Sequence, residues 1–371
     1  MDTRTVIITD PASDEEAIRE AGAALADGRL VVFPTETVYG LGAGAGSAEA
    51  VDALSRLKER DEAKPFTLHL ASPSEVEAYA GPLPRVARRL ARKTWPGPLT
   101  LVVPDRRPDD APRADLVETA IYYQGTVGLR CPSHPVASAI LEAAGGPVVA
   151  TSANLRGDPP PHDAADALEH LRGRVDLVVD AGPTPLDAPS TVVRVTEDDT
   201  YEVLREGAVA AHRVARLVRT SILFVCTGNM CRSPMAEGLA RRRLAERLGC
   251  RPDDLPDHGI DVGSVGTASM AGSGPSENAV LAARDLGVDI RAHRTRPMTV
   301  DVLRAADYIW VMTRGHLDAV VRTAPEAASR TDLLDPAGRD IEDPIGGDLD
   351  QYRACARRLD EALARRLQEI V

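Results

Sequence analysis

The stretch VCTGNMCRSP (225–234) closes an apolar run, SILFV (221–225), with a loop that carries two of the chain's five cysteines and has Arg232 directly after the second. Three chemistries compete for such a loop. A zinc site takes about four ligands, usually in two sets, and no second Cys or His pair at metal spacing is present. A thioredoxin-like redox pair is C-x-x-C, whereas four residues separate Cys226 from Cys231. An anion-holding loop accounts for more of the residues. A buried strand would turn through Thr227, Gly228, Asn229 and Met230 into a helix, with Ser233 as N-cap and Pro234 as first helical residue. Loop N–H groups and the helix dipole would converge on an anion. Those donors and Arg232 would stabilise the Cys226 thiolate, and the Arg232 fork can hold two phosphoryl oxygens.

The composition of the whole chain sets the frame. With 371 residues and 43% hydrophobic content, two domains of α/β class are expected: residues 1–210, a linker 211–220 and residues 221–371. No run approaches the ~18 apolar residues of a membrane span. The opening MDTRTVIITD lacks a signal-peptide plan, so a cytoplasmic protein without membrane contact is expected. Five scattered cysteines do not make a disulfide framework. A net charge of -12 argues against tight sequence-independent nucleic-acid binding. At most a weak RNA contact, or hand-over to tRNA-modification partners, is compatible with it. Basic residues are almost all arginine; the only lysines are Lys58, Lys64 and Lys93, and two of them fall in LKERDEAKP (57–65).

The loop does not stand alone. C-x5-R-S-P after an apolar strand is followed in order by VGTAS (265–269), GVDIRAHRTRPMT (287–299), ADYIWVMTRGH (306–316) and DPIGG (343–347). Over 221–371 this resembles the low-molecular-weight protein tyrosine phosphatases. The resemblance implies a flavodoxin-like parallel sheet with helices on both faces, a phosphoprotein substrate and no cofactor. It implies that Cys226 attacks phosphorus to form a phosphocysteine, Arg232 stabilises the transition state and Asp343 is the general acid. Thr227, Gly228, Asn229, Met230, Cys231 and Ser233 would form the phosphate loop, with Asn229 and Ser233 lowering the cysteine's pKa. Cys231 is expected either to capture an oxidised Cys226 as a disulfide or to pack under the helix. Arsenate reductases share the fold, but Cys250 and Cys355 lie outside the segment that their relay uses. Met230 and Ile345 match neither the tyrosine-directed nor the arginine-directed branch, so phosphotyrosine and phosphoarginine both stay open. The non-catalytic alternative is a phosphopeptide reader.

The first half carries different islands: VVFPTETVYGLG (31–42), LKERDEAKPFTLH (57–69), WPGPLT (95–100), TVGLRCPSHP (126–135), ATSANLRG (150–157), and STVVRV (190–195) before LREG (204–207). Taken singly, PTET reads as a strand end, KERDEAK as a solvated helix face and His69 as a packed histidine. Together they resemble the YrdC-like L-threonylcarbamoyladenylate synthases over 14–207. The resemblance implies a twisted open sheet with helices. It implies formation of threonylcarbamoyl-AMP from L-threonine, bicarbonate and ATP, for tRNA N6-threonylcarbamoyladenosine. By motif, Lys58, Arg60, Lys64, Thr126, Ser152, Asn154 and Arg205 would bind ATP, and Thr37, His69, Arg130 and Ser190 would bind threonine. Two anions must meet at the α-phosphate, which cations at Lys58, Arg60 and Lys64 would permit. Magnesium would come with the ATP, since no carboxylate cluster suggests a cage of its own. His134 reads as structural. The alternative class is an RNA-binding module without catalysis.

Overall fold

In the computed structural model, which describes residues 2–59, 65–108 and 116–370, the chain divides into two units, Met1–Ala215 and Arg216–Val371. The β-branched runs of the first unit all become strands. Its mixed sheet has the order Arg4–Ile7, Leu177–Asp180, Val31–Phe33, Gly40–Gly44, Val148–Ser152, Thr67–His69, Thr126–Arg130, Leu99–Pro104, Thr191–Val195, Tyr201–Arg205, with Tyr122–Tyr123 pairing onto Thr126–Arg130. Register decides which side chains become neighbours. Thr67–His69 runs parallel to Thr126–Arg130 and sets His69 opposite Arg130. Gly40–Gly44 runs antiparallel to Val148–Ser152 and sets Gly40 opposite Ser152.

Amphipathic helices Glu15–Ala26 and Pro135–Ala144 cover the sheet, burying Ile18, Leu25, Val136 and Ile140 against Val31, Phe33, Val148 and Val179. Gly22 marks where they cross: a Cβ there would come within 2.6 Å of Ala143. His134 caps the second helix, its Nδ1 accepting from Val136 N at 3.3 Å, which is a structural role.

The second unit is a parallel sheet in the order Ile260–Gly266, Thr220–Cys226, Tyr308–Val311, Thr331–Leu333. Period-two alternation along Thr220–Cys226 feeds two separate cores. Ile222, Phe224 and Cys226 join the helices Arg232–Leu248, Glu277–Asp285 and Leu349–Arg366. Leu223 and Val225 join Val300–Ala305 and Arg314–Thr323 through Leu303 and Val320. The loop after Thr220–Cys226 therefore opens where the next two strands lie on opposite sides, the place where open α/β sheets leave a crevice.

Two local readings change. AVAAHRVARLVRT contains a helix, Ala211–Leu217, and its last residue already belongs to the strand Thr220–Cys226. The helix after the phosphate loop starts at Arg232 with Cys231 as its cap residue, so Ser233 is inside the helix rather than at its N-cap. Among the described residues, no helix is long and apolar enough to cross a membrane.

Both cores of the second unit use residues from 222 onward only. A fragment of residues 216–371 is therefore expected to unfold cooperatively in urea with a folded-state circular dichroism of its own. Aggregation of that fragment under conditions that keep the full chain soluble would show that its core is incomplete.

Candidate active sites of the two units

In the first unit a cavity of about 390 Å³ is lined by Thr35, Thr67, His69, Thr100, Arg130, Ser152, Asn154, Ser190 and Arg205, among others. Arg130 is 5% exposed. Its Nη2 donates to Glu36 Oε1 at 2.9 Å, Thr37 Oγ1 at 2.8 Å and Thr35 Oγ1 at 3.4 Å. Its Nε has no partner among the described residues. Glu36 also accepts from Ser133 N at 3.0 Å, so the ion pair is anchored at both ends. His69 Nδ1 lies 3.2 Å from Thr67 O; a carbonyl only accepts, so Nδ1 carries the proton and Nε2 is left as an acceptor. Burial, and then the Arg130 charge, pushes the imidazole down to about 3, so the ring is neutral at neutral pH.

Across the cavity, Arg205 Nη2 donates to Ser190 O at 2.8 Å and Ser190 Oγ at 3.2 Å. Ser190 Oγ meets Thr100 Oγ1 at 2.9 Å. Lys58 joins the two ends of the TSAN segment: its Nζ donates to Ser152 O at 3.0 Å, Asn154 O at 2.5 Å and Asn154 Oδ1 at 2.9 Å. Ser152 Oγ donates to the same Asn154 Oδ1 at 2.5 Å. Residues almost a hundred positions apart thus form one knot.

Six of the expected residues share the cavity: His69, Arg130, Ser152, Asn154, Ser190 and Arg205. Lys58 reaches it through Asn154. Thr37 is fully buried behind Arg130, and the threonine that lines the cavity from that segment is Thr35. Thr126 sits at the other end of its strand from Arg130, its hydroxyl donating to Tyr123 O at 2.8 Å. Arg60 and Lys64 lie outside the described residues. Glu36, Thr35 and Thr100 escaped the sequence reading. Only the charge of Glu36, a few residues after the apolar run Leu30–Phe33, hinted that a buried cation must face it.

In the second unit, residues 227–231 turn from the strand into the helix Arg232–Leu248. Asn229 has φ 55, a left-handed conformation that Asn tolerates better than most residues. It is fully buried and held on several sides. Its Nδ2 donates to Ser233 Oγ and Ser264 Oγ, both at 2.8 Å. Its Oδ1 accepts from Arg296 N at 2.8 Å, and its carbonyl accepts from His293 Nε2 at 2.9 Å. Ser233 Oγ, filled as an acceptor, lies 2.9 Å from Cys226 Sγ, and Asn229 N donates to that sulfur at 3.3 Å. This inward hydrogen bonding explains why Ser233 does not serve as N-cap.

Arg232 is 3% exposed. It pairs with Asp343, donates from Nη1 to Ile341 O at 3.0 Å, and leaves Nε without a partner among the described residues. Thr227 Oγ1 is within 2.9 Å of His316 Nε2, a support that the sequence reading did not single out. Burial, the larger effect, pushes the Cys226 thiol up, while the Ser233 hydrogen bonds, the Arg232 charge and the Asn229 N–H pull it down. The expected lowering is therefore present as a set of donors but is outweighed by the loss of water around the sulfur. Cys231 Sγ lies beside Ser276 Oγ at 3.3 Å and Tyr352 Oη at 3.4 Å, and all five cysteines are free. Met230 and Ile345, 38% and 71% exposed, stand on the loops that carry Cys226 and Asp343.

Two α/β units, one with a polar cavity on a mixed sheet and one with a cysteine–arginine loop at a helix start, define the class. A family model named for Sua5, YciO and YrdC and described as telomere recombination matches residues 23–207. The low molecular weight phosphotyrosine protein phosphatase model matches residues 221–371. A putative threonylcarbamoyl-AMP synthase of Mycobacterium tuberculosis is 40% identical over 58% of this chain and 95% of its own length. The threonylcarbamoyl-AMP synthase of Bacillus subtilis is 38% identical over 57% of this chain, which spans 60% of that protein. A solved structure of a Pyrococcus abyssi Sua5 double variant is similar at 24% identity, 97% coverage of both chains and a TM-score of 0.53, a likeness of fold. The chain belongs to the Sua5/YciO/YrdC family and carries a low-molecular-weight phosphatase domain after it.

The neutral state of His69 has a consequence for stability. The unfolded imidazole takes a proton near pH 6.5, whereas the folded one resists until about pH 3. The unfolded state therefore binds more protons between these values, so this group destabilises the fold progressively as pH falls through that window. In His69→Gln, urea unfolding is expected to depend less steeply on pH between 6.5 and 3 than in the parent. Equal pH dependence in the two proteins would contradict a buried neutral histidine.

Proposed function

We propose that the chain is a bifunctional enzyme. Its first unit joins L-threonine, bicarbonate and ATP into L-threonylcarbamoyl-AMP, pyrophosphate and water for tRNA modification; its second hydrolyses a protein phosphomonoester or phosphoramidate through a phosphocysteine. The observation that carries the first half is the shared cavity. Arg130, with its unpartnered Nε, and Ser190 offer a carboxylate two kinds of donor. The His69 Nε2 acceptor can take a hydrogen bond from the amino acid's ammonium or hydroxyl group. Threonine carboxylated on its nitrogen would then present a carbamate oxygen to the α-phosphorus; the P–O bond to pyrophosphate breaks as the new one forms. In this reading Lys58, bound to Asn154, and Arg205, bound to Ser190, would offset the charge that accumulates there. Among the described residues no group of three or more His, Cys, Asp or Glu could hold a metal. Magnesium is proposed to enter with the triphosphate as its counter-ion.

The second half rests on Cys226 and Arg232 sharing one loop, with Asp343 against the guanidinium. A bound phosphoryl group would take the Arg232 donors and release Asp343 towards the leaving oxygen or nitrogen. Cys226 Sγ would attack phosphorus, Asp343 would give its proton to the leaving group, and water would then cleave the S–P bond. Phosphotyrosine and phosphoarginine proteins are the proposed substrate classes, and cytoplasm the proposed compartment.

Threonine-dependent exchange of pyrophosphate into ATP tests the first activity. Lys58→Ala is expected to lower it by roughly 10²–10³, the scale for loss of a charge-stabilising donor, and near-parental exchange would sink the assignment. For the second activity, Ser233→Ala removes a donor that favours the thiolate. The acidic limb of its pH–rate profile for an aryl phosphate should move to higher pH. A limb that stays in place or moves to lower pH would mean that Ser233 does not set the sulfur's protonation.

A further inference from the structure

Between the helix Arg232–Leu248 and the segment 287–296, the second unit holds another cavity of about 670 Å³. Its apolar floor includes Val262, Val288 and Ile290, and His293, Arg294 and Arg296 stand on its wall. Three carboxylates line it, and each has a partner, Glu237 also lying 3.8 Å from His293 Nδ1. Asp253 takes Arg241 at 2.9 Å, Asp289 takes Arg291 at 2.6 Å, and Glu237 accepts from Ser264 Oγ at 2.7 Å. Arg294 donates only to the carbonyls of Arg291 and His293, at 3.1 and 2.7 Å, and Arg296 only to that of Ser264, at 3.3 and 3.1 Å. Two guanidinium charges thus lack a carboxylate partner among the described residues, in a chain whose net charge is -12.

We propose that this cavity is an effector site for a small planar aromatic carboxylate, and that its occupant slows the phosphatase through Asn229. The proposal rests on the phosphatase reading of the second unit. The volume falls in the range of small-molecule sites, roughly 300–1,000 Å³. The guanidinium fork matches a carboxylate and stacks on an aromatic face, while the valines and isoleucine take the ring. The coupling follows from shared residues. His293 and Arg296 line the cavity and are the two residues that hold the Asn229 carbonyl and amide oxygen. A carboxylate that draws the Arg296 side chain off the Ser264 carbonyl loosens Ser264, whose hydroxyl accepts from Asn229 Nδ2. Asn229 is then less firmly held in its left-handed conformation, and its N–H is no longer fixed on the Cys226 sulfur. A ligand shifts an equilibrium only through such a difference in contacts between two states.

The probe is 1-naphthoate, which has no tetrahedral oxyanion to suit the phosphate loop. Calorimetric titration of the full chain should find one site, and saturation should lower kcat for an aryl phosphate about fivefold or more with KM little changed. Arg294→Glu, a change at an exposed side chain, should abolish both binding and inhibition. Absence of binding, a rise in KM alone, or inhibition that survives Arg294→Glu would each overturn the proposal. A chain that hydrolyses no aryl phosphate would instead sink the phosphatase reading and the coupling with it, whereas naphthoate binding dependent on Arg294 would still support the site.

Discussion

Each unit buries one arginine almost completely, Arg130 at 5% and Arg232 at 3% exposure, and a guanidinium taken out of water needs partners fixed by the fold. Without them the cost is several kcal/mol per ion. Arg130 is met by Glu36 and two threonine hydroxyls, Arg232 by Asp343 and the Ile341 carbonyl. In both cases Nε remains without a partner among the described residues. Removing either carboxylate would leave a buried charge unmet, a loss of about 3–5 kcal/mol in comparable pairs. The two sites are built around the same constraint, a charge that the fold neutralises only in part and that an anion would complete.

The surroundings of these arginines differ, and so does the chemistry they allow. Around Arg130 the partners come from strand ends brought together by register: His69 opposite Arg130, and Ser152 next to Asn154 beneath Lys58. His69 is kept neutral by burial and by that same arginine, which suits a group that accepts a hydrogen bond beside a cation. Around Arg232 the partners Ile341 and Asp343 come from a segment more than a hundred residues away, while the donors to Cys226 belong to the tight loop and helix start. Burial there works against the Cys226 thiolate, and the donors that oppose it are Ser233, Arg232 and Asn229. Asn229, the last of those donors, is held in its left-handed turn by Ser264, His293 and Arg296.

What the linear chain by itself determined is local. Runs such as LVVF, TVGLR and SILFVC read as half- or fully buried strands from their short length, β-branched content and turn-residue ends. The order of the islands around PTET, TSAN and CTGNMCRSP was enough to assign both families, and six cavity residues named from motifs do share one cavity. Tertiary structure decided what depends on partners distant in sequence. Ser233 left its capping role because Asn229 and Cys226 claim its hydroxyl. Thr35 and Thr37 have hydroxyls 2.9 Å apart that both accept from Arg130 Nη2, yet of the two only Thr35 lines the cavity. Glu36, Ser264, His293 and His316 act through residues 35 to 94 positions away, and a hydrogen bond across such a separation leaves no periodic trace in the sequence. The Cys226 thiol goes up rather than down for the same reason: its neighbours could be named from the loop, but the burial that outweighs them belongs to the packed sheet and helices.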